Sequence, residues 1–170
     1  MRDLFALDPQ LPHSLQEYEE IFGRDYPLQV LSRYWIHFGG RALEIFRPFF
    51  PGKSPDRILA EGGNCSRDLQ NTGHFHVDLY GGYIPGLCSG LAIDVQDLDR
   101  PLSEEKYPVI AALWQRGVAG LAELAQRDWG FTPQRESYLN ACDLCTEIRA
   151  FLVRSGCRDY PELNTPEFYD

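Results

Sequence analysis

Four cysteines in this chain stand where thiols do chemistry. Cys142 and Cys145 form a C-x-x-C pair in "NACDLCTEIRAF". Cys65 lies in "GGNCS" and Cys88 in "PGLCSG", both among glycines and small residues that let backbone amides approach a sulfur. At the start of a helix, C-x-x-C places both sulfurs on one side of the first turn. The free amides and the helix dipole there favour thiolate over thiol. Metal or cluster ligation and dithiol redox chemistry both use that arrangement. The alternative is burial of two small apolar side chains, which the polar neighbours Asn140 and Asp143 disfavour. Cys65 and Cys88, flanking a hairpin, extend the pair to a four-thiolate set. Four thiolates suit an iron–sulfur cluster or a structural zinc equally well. Cys157 follows the last helix and reads as incidental. On the strand pattern "HFHVDL", His74, His76 and Asp78 share one face. They are candidate pocket or outer-sphere residues, or simply the solvated face of an edge hairpin.

The elements that position these residues follow from local pattern. Ser14 and Glu17 have the capping-box spacing, and Gly23 supplies a stop, so a short helix is expected between them. "LQVLSRYWIHF" is rich in branched and aromatic residues and reads as a strand. Helices are expected from Gly40 to Pro48 and from Ser54 to Gly62. In the hairpin, Phe75, Val77 and Leu79 should meet the core. Gly81 and Gly82 should turn, and Pro85 should mark an edge or irregular position. The C-terminal half reads as helical. Tyr107, Ile110, Leu113 and Trp114 form one stripe, and Val118, Leu121 and Leu124 form another after a break at Gly117. Leu144, Ile148, Phe151 and Leu152 form a core stripe on a last helix capped by Asn140 and stopped near Gly156. The tail should pack over the surface through Tyr160 and Phe168. The expected fold is α+β, a small antiparallel hairpin or sheet packed against a helical C-terminal half. It is expected as a single domain over 1–170: an N-terminal segment 1–64, a cysteine hairpin 65–99 and a helical part with tail 100–170.

Composition narrows the class. The chain has 170 residues, 44% of them apolar, and a net charge of −9. That length supports a substantial core. Its acidity disfavours phosphate backbones, so no nucleic-acid partner is expected. No apolar run approaches the length of a membrane span and no signal-peptide pattern opens the sequence, so a soluble, cytoplasmic chain without membrane partners is expected. Five cysteines without an export signal argue against a disulfide framework.

"GGNC" followed by a strand, "DLYGGYIPGLC" and "CDLCTEIRAFL" together resemble the C-terminal auxiliary-cluster (SPASM or twitch) region of radical S-adenosylmethionine (SAM) proteins. The hairpin of that family has the form D-x-x-G-x-x-x-x-x-C, which Asp78, Gly81 or Gly82, and Cys88 match. "YWIHFGGRALEIF" is similar to a segment near the end of the catalytic barrel in such proteins, so the likeness runs from about residue 30 onward. It implies an auxiliary [4Fe-4S] cluster on Cys65, Cys88, Cys142 and Cys145, serving substrate binding or electron relay. It also implies a radical SAM catalytic domain, or a protein substrate, as partner. The C-x-x-x-C-x-x-C motif that holds the SAM-cleaving cluster is absent from this sequence. The expectation is therefore an auxiliary half, standing free or cut from its catalytic half, that is not a radical SAM enzyme by itself. A structural zinc clamp is the first alternative. The second is a thiol-redox protein in which Cys142 and Cys145 exchange electrons and His74 or His76 moves protons.

Overall fold

The structure is a computed structural model that describes residues 7, 8, 10–73, 75–157 and 160–169. Two compact units divide the chain, Met1–Ile36 and His37–Asp170. Among the described residues there are seven α-helices and one two-stranded antiparallel sheet. The fold is mixed α+β and mostly helical.

In the first unit, α1 (Leu15–Phe22) starts at the capping box. The Ser14 side chain accepts from the Glu17 amide, Glu17 reaches back to the Ser14 amide, and Gly23 closes the helix. Helix α2 (Tyr26–Arg33) corrects the strand expected from Leu28 onward. Pro27 sits in its first turn, where a missing N–H and a fixed φ favour a helix start. Branched residues lower helix propensity only slightly, so this local device outweighs them. Tyr18 stacks on Phe22 and Tyr26 between the two helices.

The second unit is built on α6 (Pro108–Trp129) and α7 (Ala141–Arg154), which pack against each other. Leu113, Val118 and Leu121 of α6 and Leu144, Ile148 and Leu152 of α7 are buried, with Val109 and Tyr138 beside them. The expected stripe fails at one residue. Trp114 is 40% exposed, because it lines an apolar cavity of about 320 Å³ with Pro101, Leu102 and Tyr107. Gly117 breaks α6 with φ 62° and ψ −149°. An ideal Cβ there would lie 2.0 Å from the Gly63 carbonyl oxygen, so the break seats the "GGNC" loop directly on the helix. Cys65 then donates its amide to the Leu113 carbonyl at 2.9 Å. Around this pair, α3 (Arg41–Phe46) and α4 (Pro55–Glu61, capped by Ser54) complete the helical layer, and α5 (Ser66–Leu69) follows Cys65.

The hairpin is β1 (His76–Val77) and β2 (Tyr83–Ile84), with His76 opposite Ile84 and Val77 opposite Tyr83. Tyr83 also exchanges both backbone bonds with Ile93 at 2.7 Å, and Leu91 bridges Leu163 of the tail. Residues 85–90, which carry Cys88, are thus a loop held at both ends. The expected inward face of the hairpin is corrected. Phe75, Val77 and Leu79 are 67%, 52% and 100% exposed. The core contacts come instead from the second strand and its Ile93 partner, so β1 is an outer edge with both faces open.

Glu162 locks the tail down. It is fully buried, and its Oε1 accepts the Val109 amide at the start of α6 at 2.7 Å. Its carbonyl accepts the Ala92 amide. Oε2 has no partner. Burial pushes the Glu162 carboxyl up to about 7, against the opposing pull of the backbone amides. An acid raised in the folded state holds its proton while the unfolded chain has already released it. Its contribution to stability is therefore whole below the unfolded value and declines as pH rises through about 7. Glu162→Gln removes the titration and keeps the acceptor. Between pH 4.5 and 7.5 the stability gap should move in the variant's favour by roughly 3 kcal/mol. Denaturant unfolding of both proteins across that range measures it, and a flat gap would refute the assignment.

Candidate metal centre

The cysteine site is assembled from three places in the second unit. Cys65 immediately precedes α5, Cys88 lies in the loop between β2 and Ile93, and Cys142 and Cys145 occupy the first turns of α7. The first two are brought together by a backbone contact. Gly86 has φ 55°, and an ideal Cβ on it would lie 2.2 Å from the Asp68 carbonyl oxygen of α5. Only a residue without a side chain lets the Cys88 loop lie that close to the helix that follows Cys65.

Helix α7 is fixed at its start by side chains. Asn140 accepts the Asp143 amide at 2.9 Å and forms the N-cap. Asp143, 1% exposed, accepts from Arg47 at 3.0 Å, Arg135 at 2.8 Å and the Leu139 amide at 3.0 Å. Glu147 accepts from Arg135 at 2.7 Å and from the Tyr138 hydroxyl at 2.5 Å. These bonds hold the turn that presents both α7 cysteines.

None of the five cysteines is in a disulfide. Cys65, Cys88, Cys142 and Cys145 stand within one another's electrostatic reach. Burial pushes the thiols of Cys65 and Cys88 up to about 12, and the nearby Cys145 and Cys142 add to it. Cys142 is the most exposed of the four, yet the protein crowding its thiol, and then Cys145, push it up to about 11. The thiolate expected at Cys142 from the helix dipole is thereby corrected, since desolvation and a neighbouring like charge outweigh a partial charge at the helix end. Cys157 is buried in the core cluster.

Among the described residues, no three Cys, His, Asp or Glu side chains are arranged to hold one metal ion. The four cysteines are not gathered into such a group. Asp78 serves the turn. Its Oδ1 accepts the Tyr80 amide at 2.9 Å and the Gly82 amide at 2.8 Å, which uses the carboxylate that the sequence offered to a pocket. His76 is exposed on β1, and His74 lies outside the described residues.

The residue that the sequence reading missed is Arg149. It is 4% exposed and sits one turn beyond Cys145. Its guanidinium donates to the Ser89 carbonyl at 2.8 Å, to the Thr146 hydroxyl at 3.3 Å and to the Cys145 carbonyl at 3.4 Å. The Tyr169 ring lies 5.9 Å from it. Among the described residues no carboxylate forms an ion pair with it. Burial works against its charge, but Cys145, Tyr169 and Cys88 more than offset that and raise its pKa. A signal was present in the sequence: residues 142, 145 and 149 fall at i, i+3 and i+7, one face of a helix.

Comparison with protein-family models, curated proteins and solved structures finds no match for this chain. The chemistry of the site rests on its own residues.

Gly86→Ala tests the contact that joins the two loops. The left-handed backbone alone costs an alanine roughly 1–2 kcal/mol, and the Asp68 carbonyl adds a steric conflict. Gly81→Ala is the control, because Gly81 also has positive φ (83°) but open space around it. Thermal unfolding should show a larger loss for Gly86→Ala than for Gly81→Ala. Equal losses would mean that the close approach carries no energy.

Proposed function

We propose that this chain is a cluster-bearing auxiliary domain of the radical SAM type, with Cys65, Cys88, Cys142 and Cys145 as ligands to a [4Fe-4S] cluster. What supports the reading is the placing of four cysteines on α7 and on two loops joined by the Gly86–Asp68 contact, beside a buried guanidinium that pairs with no carboxylate among the described residues. Thiols raised by burial and mutual proximity stay protonated when nothing binds them. Polynuclear iron supplies the positive charge that replaces those protons. A cluster sets a looser demand on thiol spacing than zinc does. Four thiolates around one zinc must close to about 3.8 Å from each other, given Zn–S bonds of about 2.3 Å. A four-iron cluster takes each cysteine on a separate iron and so accepts a wider group. A dithiol redox pair needs a depressed thiol pKa, and Cys142 is shifted the other way.

When bound, such a cluster would accept or relay single electrons, every iron being held by a thiolate. The chain's own residues supply the rest. Gly86 lets the Cys88 loop close on α5, the Asn140 cap and Asp143 orient the α7 pair, and the tail covers the loop through Glu162 and Tyr169. A radical SAM catalytic domain is the partner that this reading proposes, and the reducing cytoplasm is the compartment that suits five cysteines outside disulfides. Among the described residues no helix is long and apolar enough to cross a membrane.

Anaerobic reconstitution with iron and sulfide tests the proposal. Wild type should hold iron and acid-labile sulfide in equal amounts, about four of each per chain. Cys88→Ser should lower both and the melting temperature, whereas Cys157→Ser should leave the metal content unchanged. Uptake of zinc alone, or equal metal loss in the two variants, would sink the ligand assignment.

Reduced, reconstituted chain should not cleave SAM, because the three-cysteine motif is missing from this sequence. Release of 5′-deoxyadenosine in that assay would reveal a second site and contradict an auxiliary role.

A further inference from the structure

We infer that the cavity between α6 and the loop before it is a binding site for a small aromatic amine, whose ring it encloses and whose ammonium group it holds at Glu104. The site shares no residue with the cysteine group and needs no cluster. Its volume of about 320 Å³ gives room for one ring with a short chain and is of the size of small-molecule pockets. Pro101 and Leu102 line it from the loop, and Ile110, Ala111 and Trp114 line it from α6. Ala111 contributes only a methyl group, so the helix leaves a hollow where a larger residue would fill it. Such a hollow would close if its walls could move, but they are pinned. Tyr107, also in the lining, donates its hydroxyl to Asp97 at 2.6 Å and accepts the Asp94 amide at 3.2 Å. Its own amide donates to the Ser103 carbonyl at 2.9 Å, and the Lys106 amide donates to the Ser103 hydroxyl at 3.3 Å. A pocket that is already formed spends little ordering free energy on its ligand.

The charge of the ligand follows from the exposed side, where Glu104, Trp114 and Gln115 meet solvent. The Gln115 amide donates to Glu104 Oε1 at 3.0 Å, which ties the carboxylate of the loop to the helix. Among the described residues none that lines the cavity is basic, and no lysine, arginine or histidine forms an ion pair with Glu104. An anionic ligand would meet that carboxylate with no compensating cation. An ammonium group finds both the carboxylate and the half-exposed Trp114 ring, whose face attracts cations. The chain's net charge of −9 favours its approach. A neutral hydrocarbon would cover the apolar walls and leave Glu104 unused, whereas a polar cation would leave Leu102 and Ile110 in contact with water. A ring joined to an ammonium group by a short chain answers both halves of the site.

Calorimetric titration of the full chain at neutral pH tests this with three probes of one shape: phenethylamine as the cation, 2-phenylethanol as the neutral form and 3-phenylpropanoate as the anion. Phenethylamine should saturate one site per chain and bind at least roughly tenfold more tightly than the alcohol, with the anion weakest. Glu104→Gln should erase the preference for ammonium over alcohol while the alcohol binds as before. Ala111→Leu, which fills the hollow, should abolish binding of all three, with circular dichroism reporting whether that variant folds. The wild-type series and Glu104→Gln decide the matter without it. No saturable heat with phenethylamine, an anion that binds as tightly as the cation, or a preference that survives Glu104→Gln would overturn the assignment. Unchanged binding in a folded Ala111→Leu protein would overturn the cavity as its place. Sedimentation showing a dimer that Trp114→Ala dissolves would also overturn it, because a second copy of the chain would then be the occupant.

Discussion

The structure of the second unit turns on one buried charge. Arg149 carries a buried guanidinium one turn beyond the C-x-x-C pair, and its bond to the Ser89 carbonyl joins the last helix to the loop that holds Cys88. That helix can accept the burden because its start is anchored so heavily. Asp143 takes two arginines and a backbone amide, and Glu147 takes Arg135 and Tyr138. Buried ion pairs of this kind add little net stability, but removing one partner leaves a stranded charge. They therefore fix where α7 begins, and with it the direction in which Cys142 and Cys145 are presented.

The second constraint is backbone proximity. Two glycines with positive φ let chain segments approach closer than any side chain allows: Gly117 under the Gly63 carbonyl and Gly86 over the Asp68 carbonyl. The first breaks the longest helix, the second gathers two cysteine loops, and both contacts fall beside Cys65. Glu162 adds a third tie from the tail, capping α6 across 53 residues of sequence. The site thus belongs to no single element. The cysteine-bearing loops and α7 are held by contacts between segments far apart in the sequence.

What the sequence determined by itself is local. The Ser14 box, the Ser54 and Asn140 caps, the break at Gly117 and the apolar stripe of Leu144, Ile148 and Leu152 depend on neighbours within a turn or two, and each is found where the pattern put it. The C-x-x-C pair on α7 is legible for the same reason. The first unit shows the limit of such reading, since Pro27 made a helix of a segment whose branched and aromatic residues suggested a strand.

Tertiary structure alone decided the rest. Asp78 became a turn-former because Tyr80 and Gly82 present amides to it, and the apolar side of β1 stayed open because Ile93 took the inner place beside Tyr83. Glu162 carries no pattern that announces a buried charge, because burial is set by what distant segments place over a residue. The thiolate expected from a helix dipole likewise gave way at Cys142 to desolvation and to the thiol of Cys145. A helix end is written in a few adjacent residues, whereas the field at a buried site is a sum over groups far apart in the chain, and only the fold fixes the distances in that sum.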